Sequence, residues 1–495
     1  MKRIITLLAA TLLGFSQMMA DPTAQTIPGN LDLSNGTYSS GSWNGTNTTD
    51  VPAGGTATYI LNNATEQAYK ITINAVSRNA NAQMRVTIKN GETTVSERTI
   101  TTFATNGWTN YQDFVCITSQ LPIADGLTME IKFLTNQTNI KSINFVAATS
   151  ADLQIPTDYT HPFDLVFATV SGSGGKIGTN GRTDSFKHGY TATVNFTNNT
   201  EQFYKISFKA ATNQNNAKVK MIVKKGEDVV SDGAEVAITN GGWNSYTAYE
   251  CYTKAKLPTG SLTLVISMTS SSGSWTANVG DISFTALDNV ALNESTDYTP
   301  EAKFANVTLT RSITANKWST IVLPFAVADV EAVFGSGTKV AQLTSASNEA
   351  LTFTNVTAMN ANEPYMIKVT SDFTSATVDG VDIVSGTPSK TVEPATFTGV
   401  YASGTIPTGA YFVSNNKLYK ATGAGNTIKP FRGYFTLAAS APQLQMIFEG
   451  QTTGIIAVEQ ETEDMDDSVY NLNGQRIAQP AKGLYIVNGK KVIVK

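Results

Sequence analysis

One phrase occurs twice in this chain, and that recurrence constrains its fold more than any other feature. Glu66-Gln-Ala-Tyr-Lys70 returns 135 residues later as Glu201-Gln-Phe-Tyr-Lys205. At the same offset Ala82 to Glu92 returns as Ala217 to Glu227, Gly107-Trp108 as Gly242-Trp243, and Cys116 as Cys251. Beyond the cysteines the offset drifts by a few residues, as loop lengths do. Leu121-Pro122 then matches Leu257-Pro258, and Asn139-x-x-x-Ile143 matches Asn278-x-x-x-Ile282. The first half therefore holds two copies of one domain, at residues 24–148 and 160–287. The paired cysteines sit at equivalent places in separate domains, which argues for two buried thiols rather than a bridge.

Each copy reads as strands. Tyr69-Lys-Ile-Thr-Ile-Asn74, Met84-Arg-Val-Thr-Ile-Lys89 and Leu127-Thr-Met-Glu-Ile-Lys-Phe133 alternate apolar and polar residues, and Asn90-Gly91 supplies turn chemistry. Charged residues make up only 15% of the chain, and Thr, Ser, Asn and Gly take their place. That composition suits short strands and turns rather than exposed helices. The expectation is an all-β protein with tandem jelly-roll β-sandwiches.

A third β domain is expected at 301–450, with one helical turn near 327–334. Its phrases Asn306-Val-Thr-Leu-Thr-Arg311 and Trp318-Ser-Thr-Ile-Val-Leu-Pro-Phe325 resemble a poorly characterised β domain of bacterial surface proteins. Ile155-Pro-Thr-Asp-Tyr-Thr160 and Glu294-Ser-Thr-Asp-Tyr-Thr-Pro300 share their wording and read as equivalent linkers stiffened by proline. An acidic run within 451–467 reads as a solvated linker.

The two ends read as addresses. Lys2-Arg3, an apolar stretch from Ile4 to Phe15 and Ala20 before Asp21 form a secretory signal at 1–20. No later segment is long and apolar enough to span a membrane as a helix, so none is expected in the mature protein. Residues 468–495 carry two hairpin signals, with turns at Asn473-Gly474 and Asn488-Gly489. With Thr453-Gly-Ile455, the phrases Val469-Tyr-Asn-Leu-Asn-Gly474, Lys482-Gly-Leu-Tyr-Ile-Val487 and Lys490-Lys-Val-Ile-Val-Lys495 resemble a type A C-terminal sorting domain of the type IX (Por) secretion system. The resemblance implies secretion machinery as a partner and a secreted or outer-surface location.

The inventory argues against catalysis. The two histidines, His161 and His188, show no metal-ligand spacing. There is no nucleophile elbow and no phosphate loop, and Gly172-Ser-Gly-Gly-Lys-Ile-Gly178 reads as a loop. A net charge of −4 and the absence of a basic stretch exclude a nucleic-acid partner. Only a carboxylate pair of glycosidase type stays open, and nothing singles one out.

The repeats resemble family 6 carbohydrate-binding modules and related galactose-binding-like sandwiches. The matching residues are Gly242-Trp-Asn-Ser-Tyr246 with the strand through Cys251, Leu257-Pro-Thr-Gly260, and Asn278-Val-Gly-Asp-Ile-Ser-Phe284. The resemblance implies a glycan partner, with Trp243 and Asn278 forming the sugar site of copy two and Trp108 and Asn139 that of copy one. Tyr190 is the candidate second aromatic in copy two, and its counterpart in copy one is Gly55. Trp275 occurs in copy two alone. An indole offers a face to sugar C–H groups, and an amide both donates and accepts. Trp108 reads as a core residue, while for the Trp243 group a core role and a binding platform both stay open. The resemblance also implies a structural calcium tied to an acidic first strand, which neither copy has; Asp32 and Asp164 lie near its expected place. No cofactor is otherwise evident. A surface adhesin or spacer binding a protein is the alternative to a glycan-binding protein.

Overall fold

The computed structural model describes residues 22–438 and 444–449, apart from 50, 79–81, 102–104, 106, 136, 159, 270–274 and 424. Beyond 449 it describes strand backbone at Ile455–Glu459, Val469–Tyr470, Arg476–Ile477, Gly483–Val487 and Lys490–Val494. The expected signal at 1–20 lies outside the described residues. The chain divides into two compact units, the first ending at Ala286 and the second beginning at Leu287. The fold is all-β, and the α-helix among the described residues is the single turn Val330–Phe334, capped by the Asp329 carboxylate.

The first unit holds two sandwiches of one design. In the first, Gln25–Ile27, Thr56–Asn63, Ala124–Phe133, Gln83–Asn90 and Thr93–Thr101 form one sheet. Gln112–Ile117, Tyr69–Val76, Asn139–Ala147 and Gly29–Asn30 form the other. In the second, Gln154–Ile155, Thr191–Asn198, Gly260–Met268, Ala217–Lys225 and Asp228–Ile238 face Gly242–Tyr252, Tyr204–Thr212 and Asn278–Ala286. The alternation read from sequence is the alternation of burial: along Tyr69–Val76 the side chains at 69, 71, 73 and 75 are sealed in the core.

The recurring phrases have a structural purpose. Tyr69 Oη donates to Asn63 Oδ1 at 2.6 Å, and Asn63 Nδ2 donates to the Pro122 carbonyl at 2.8 Å. Tyr204 Oη, Asn198 and Pro258 repeat this arrangement at 2.7 and 2.9 Å. Thr118 and Thr253, two residues past the cysteines, accept the backbone N–H of Tyr69 and Tyr204. The Tyr of one phrase thus ties the Leu-Pro turn of the other through a buried amide. Cys116 and Cys251 lie in the two cores, 5% and 6% exposed, and burial pushes both thiols up to about 12.

Ile155 to Thr157 belongs to the second sandwich and is not a free linker. Gln154–Ile155 pairs in parallel with Thr191–Asn198, as Gln25–Ile27 pairs with Thr56–Asn63. Thr157 exchanges hydrogen bonds with the backbone of Phe284. The second sandwich therefore starts before residue 160, and it docks directly on the first. Arg98 Nε donates to Asp164 Oδ2 at 2.6 Å, and Arg98 Nη1 to the Thr179 carbonyl at 2.7 Å. Lys70 pairs with Asp152 at 2.6 Å, and Ala68 and Ile117 of the first copy pack into the core of the second.

The second unit also starts earlier than its sequence indicates. Asn289–Asn293 pairs in parallel with Lys303–Ile313, which pairs with Phe373–Ile383. Glu294 to Pro300 is tied down as well: Tyr298 N–H donates to the Tyr401 carbonyl, and Asp297 accepts from Ser403. A larger sheet runs from Ser319–Ile321 to Ser389–Val392, and Ile455–Glu459 is one of its strands, between Gln445–Phe448 and Lys417–Lys420. The sheet thus reaches into the stretch read as a linker. In the tail, Val469–Tyr470 pairs with Arg476–Ile477, and Gly483–Val487 with Lys490–Val494, as two hairpins would. Their Asn-Gly turns lie outside the described residues.

Candidate functional site

Register brings the candidate residues of copy two to one end of its sandwich. Strand Tyr204–Thr212 ends between two partners, with Thr212 opposite Gly242 and Ala211 opposite Asn278. Trp243 and Asn278 therefore flank the same strand end, two strand spacings or roughly 10 Å apart. The Gly242–Tyr252 strand bulges here, because its pairing jumps from Thr247 opposite Ala210 to Gly242 opposite Thr212. Residues 243–246 are lifted out of the ladder. Gly242 has φ +99°, a left-handed conformation that a side chain resists, and Gly107 of the other Gly-Trp pair has φ +130°.

Trp243 is half-buried and outside the core. Trp275 is 45% exposed, and the Lys187 ammonium lies 4.6 Å from its ring centroid. The backbone bridge between Lys187 and Trp275, with the Thr276 N–H donating to the Phe186 carbonyl, fixes the start of that segment. The Asn278 side chain is half-buried and has no hydrogen-bond partner among the described residues. An exposed indole and, three residues on, an uncommitted amide are the groups that suit a ring with an apolar face and hydroxyl edges.

Tyr190 does not offer a second platform. Its ring lies under the glycine-rich turn, where a Cβ at Gly172 would come within 2.4 Å of it, and Phe186 meets it edge-on. Its hydroxyl donates to the Ser173 carbonyl at 2.8 Å. Gly172 and Gly175 of that turn let it pack closely on Tyr190.

Sequence reasoning missed Tyr246 as a candidate of its own. The Arg182 guanidinium lies 3.9 Å from the Tyr246 ring centroid and makes a bidentate pair with Asp281 at 2.8 and 3.1 Å. Burial opposes the charge of Arg182, but the Asp281 carboxylate outweighs it and raises the pKa. A Cβ at Gly280 would collide with the Arg182 side chain, so that glycine admits it. The recurring Gly-Trp-x-x-Tyr phrase carried the signal: Tyr111, its counterpart in copy one, lies under Lys141 at 5.7 Å.

In copy one Trp108 is not core. It is half-buried, outside the core cluster, with the Arg78 guanidinium 5.9 Å from its ring. Asn139 starts the strand matching that of Asn278, but its Oδ1 is sealed from solvent with no hydrogen-bond partner. The two carboxylates nearest the implied calcium's expected place are both engaged elsewhere. Asp164 accepts from Arg98 and from the Val166 N–H, and the Asp32 carboxylate accepts from both the N–H and the hydroxyl of Ser34. Among the described residues no group of three acidic, His or Cys side chains could hold a metal.

The fold defines the first unit as a tandem β-sandwich. No protein-family profile matches the sequence, and no curated protein matches it. Solved structures similar to it include the C-terminal CBM6 of a marine laminarinase from Zobellia galactanivorans, 19% identical over 20% of this chain and 78% of that one, with a TM-score of 0.18. The CBM22 tandem of Paenibacillus barcinonensis Xyn10C is 11% identical over 48% of this chain and 86% of that one, with a TM-score of 0.20. The tandem CBM51 modules of a Streptococcus pneumoniae family 98 glycoside hydrolase are 12% identical over 48% and 83%, with a TM-score of 0.16. These neighbours are carbohydrate-binding modules; at such identities and scores they do not define a ligand for this chain. No helix among the described residues is long and apolar enough to cross a membrane.

Proposed function

We propose that the protein is a non-catalytic glycan-binding protein, secreted or held on the outer cell surface. The signal at 1–20 and the sorting tail at 468–495 would direct its export through type IX secretion. Its binding surface is the end of the second sandwich that carries Trp275, Asn278 and Trp243. One observation supports this above the rest: Trp275, a large apolar ring, is 45% exposed three residues before Asn278, whose amide is uncommitted among the described residues. Exposed indoles are costly to leave in water and suit the C–H face of a sugar ring. The first sandwich, with the Asn139 amide oxygen sealed and no counterpart to Trp275, is the weaker binder of the pair.

A glycan array on the full mature chain tests this reading. Binding to a saccharide that disappears in Trp275→Ala and Asn278→Ala supports it. A protein that binds no glycan favours the adhesin or spacer reading, to which the direct docking of the two sandwiches is also suited. Turnover of a polysaccharide by the purified chain would contradict the non-catalytic assignment.

A further inference from the structure

A polar cleft of about 370 Å³ opens in the second unit, beside the strand Lys303–Ile313. That volume is at the lower end of small-ligand sites. Hydroxyls of Ser312, Thr314, Ser319 and Ser414 and amides of Asn415 and Asn416 line it. Its apolar lining is slight. Trp318 is 5% exposed and stacked on Phe448 at 4.0 Å, so it forms a fixed wall.

The charges at the cleft are unbalanced. Lys317, Lys429 and Arg432 line it against the single carboxylate of Glu294. Glu294 is held by Arg432 at 2.6 Å and by the Ser312 N–H at 3.2 Å. Lys317 and Lys429 are exposed, and neither has a carboxylate partner among the described residues. Arg311 does not line the cleft but reaches one of its residues, Ser319, and burial works against its charge. Arg311 is 1% exposed, donates to the Phe431 and Thr320 carbonyls and, at 3.1 Å, to the Ser319 hydroxyl, and its Nε is buried without a partner. One carboxylate thus stands against three cations in the lining of a cleft rimmed with hydroxyls and amides.

We propose that this cleft binds an anionic saccharide, independently of the site on the second sandwich. The two lysines meet its carboxylate or sulfate group, and the rim hydroxyls and amides meet its sugar hydroxyls. A neutral sugar would leave the excess positive charge unanswered, and a bare anion would leave the polar rim unused.

Isothermal titration of the full mature chain with an oligogalacturonate, a sulfated oligosaccharide and a neutral maltooligosaccharide of equal length tests the proposal. At least one anionic probe should bind tenfold or more tighter than the neutral one and weaken as salt is raised; the probe preferred identifies the anionic group. The Lys317→Gln, Lys429→Gln double variant, changed only at exposed positions, should lose tenfold or more. Trp275→Ala should leave this binding unchanged, which separates it from the site on the second sandwich. Equal affinity for the neutral probe, unchanged affinity in the double variant, or no binding of either anionic probe at millimolar concentration overturns the proposal. Inorganic sulfate binding as tightly as the sulfated saccharide overturns the saccharide assignment.

Discussion

Arg98 of the first sandwich and Asp164 of the second form a bidentate pair, at 2.6 Å through Nε and 3.2 Å through Nη2, with both side chains about nine-tenths buried. Gly181 closes over the pair: a Cβ there would lie 2.9 Å from the guanidinium carbon, and its φ is +71°. The two repeats are joined by a surface as well as by chain. Removing one member strands the other charge, which costs about 3–5 kcal/mol for a buried pair.

Arg98→Ala should therefore lower the stability of the first unit by several kcal/mol and expose the junction near residues 148–160 to protease. Chemical denaturation and limited proteolysis of the full chain read both effects. A variant as stable and as resistant as the wild type would mean that the sandwiches do not depend on this contact.

The buried amide hooks make a second prediction. Tyr204→Phe leaves the Asn198 oxygen with the Thr200 N–H at 3.2 Å in place of two donors, at a cost of about 0.5–1.5 kcal/mol. Tyr69→Phe should cost a similar amount through Asn63. Urea denaturation of each variant measures it, and an effect confined to one copy would break the equivalence drawn between them.

A third concerns where the second sandwich begins. Leu153 and Ile155 are wholly buried. Burial of each contributes roughly 1.5–3 kcal/mol. A fragment starting at residue 160 should be markedly less stable in thermal unfolding than one starting at 149. Equal melting temperatures would restore the linker reading of 155–160.

A fourth is a pH dependence in the second unit. Burial works against the Glu294 carboxylate, but its bonds to Arg432 and Ser312 prevail and hold its pKa below the ordinary value. A carboxyl lowered on folding adds stability above its unfolded pKa of about 4.3 and loses it as pH falls through the folded value. Acid unfolding monitored for this unit should therefore be shallower in Glu294→Gln than in the wild type below pH 4.5. Identical acid profiles would show that the pair adds no such stability.

The thiols give a fifth. With both pushed to about 12 by burial, neither Cys116 nor Cys251 should react with a thiol reagent at neutral pH until the protein unfolds. Rapid labelling of the native chain would place at least one of them at the surface.

Alternation made the long strands legible, because period-two burial is written directly in residues such as Tyr69, Ile71 and Ile73. The repeat then doubled the signal. The short parallel strands Gln154–Ile155 and Asn289–Asn293 were not legible, since two to five residues beside a proline-bearing polar phrase have no period to read. Neither was the Arg98–Asp164 pair, which joins residues far apart in sequence. At the candidate site, type and spacing point to Trp243, Trp275 and Asn278 as candidates but carry nothing of their setting. Residue type alone makes Tyr190 a platform and Trp108 a core residue, whereas packing puts the Tyr190 ring under Gly172 and Arg78 beside the half-buried Trp108 ring. Tyr246 was passed over because its partners, Arg182 and Asp281, come from other strands and loops.

The most direct test of glycan binding at the second sandwich is a titration of the full mature chain with its best array ligand, in wild type and in Trp275→Ala. Trp275 is 45% exposed and outside the core, so its truncation should leave the melting temperature within a degree or two. The account predicts a loss of tenfold or more in affinity with the fold intact. An unchanged affinity would contradict it.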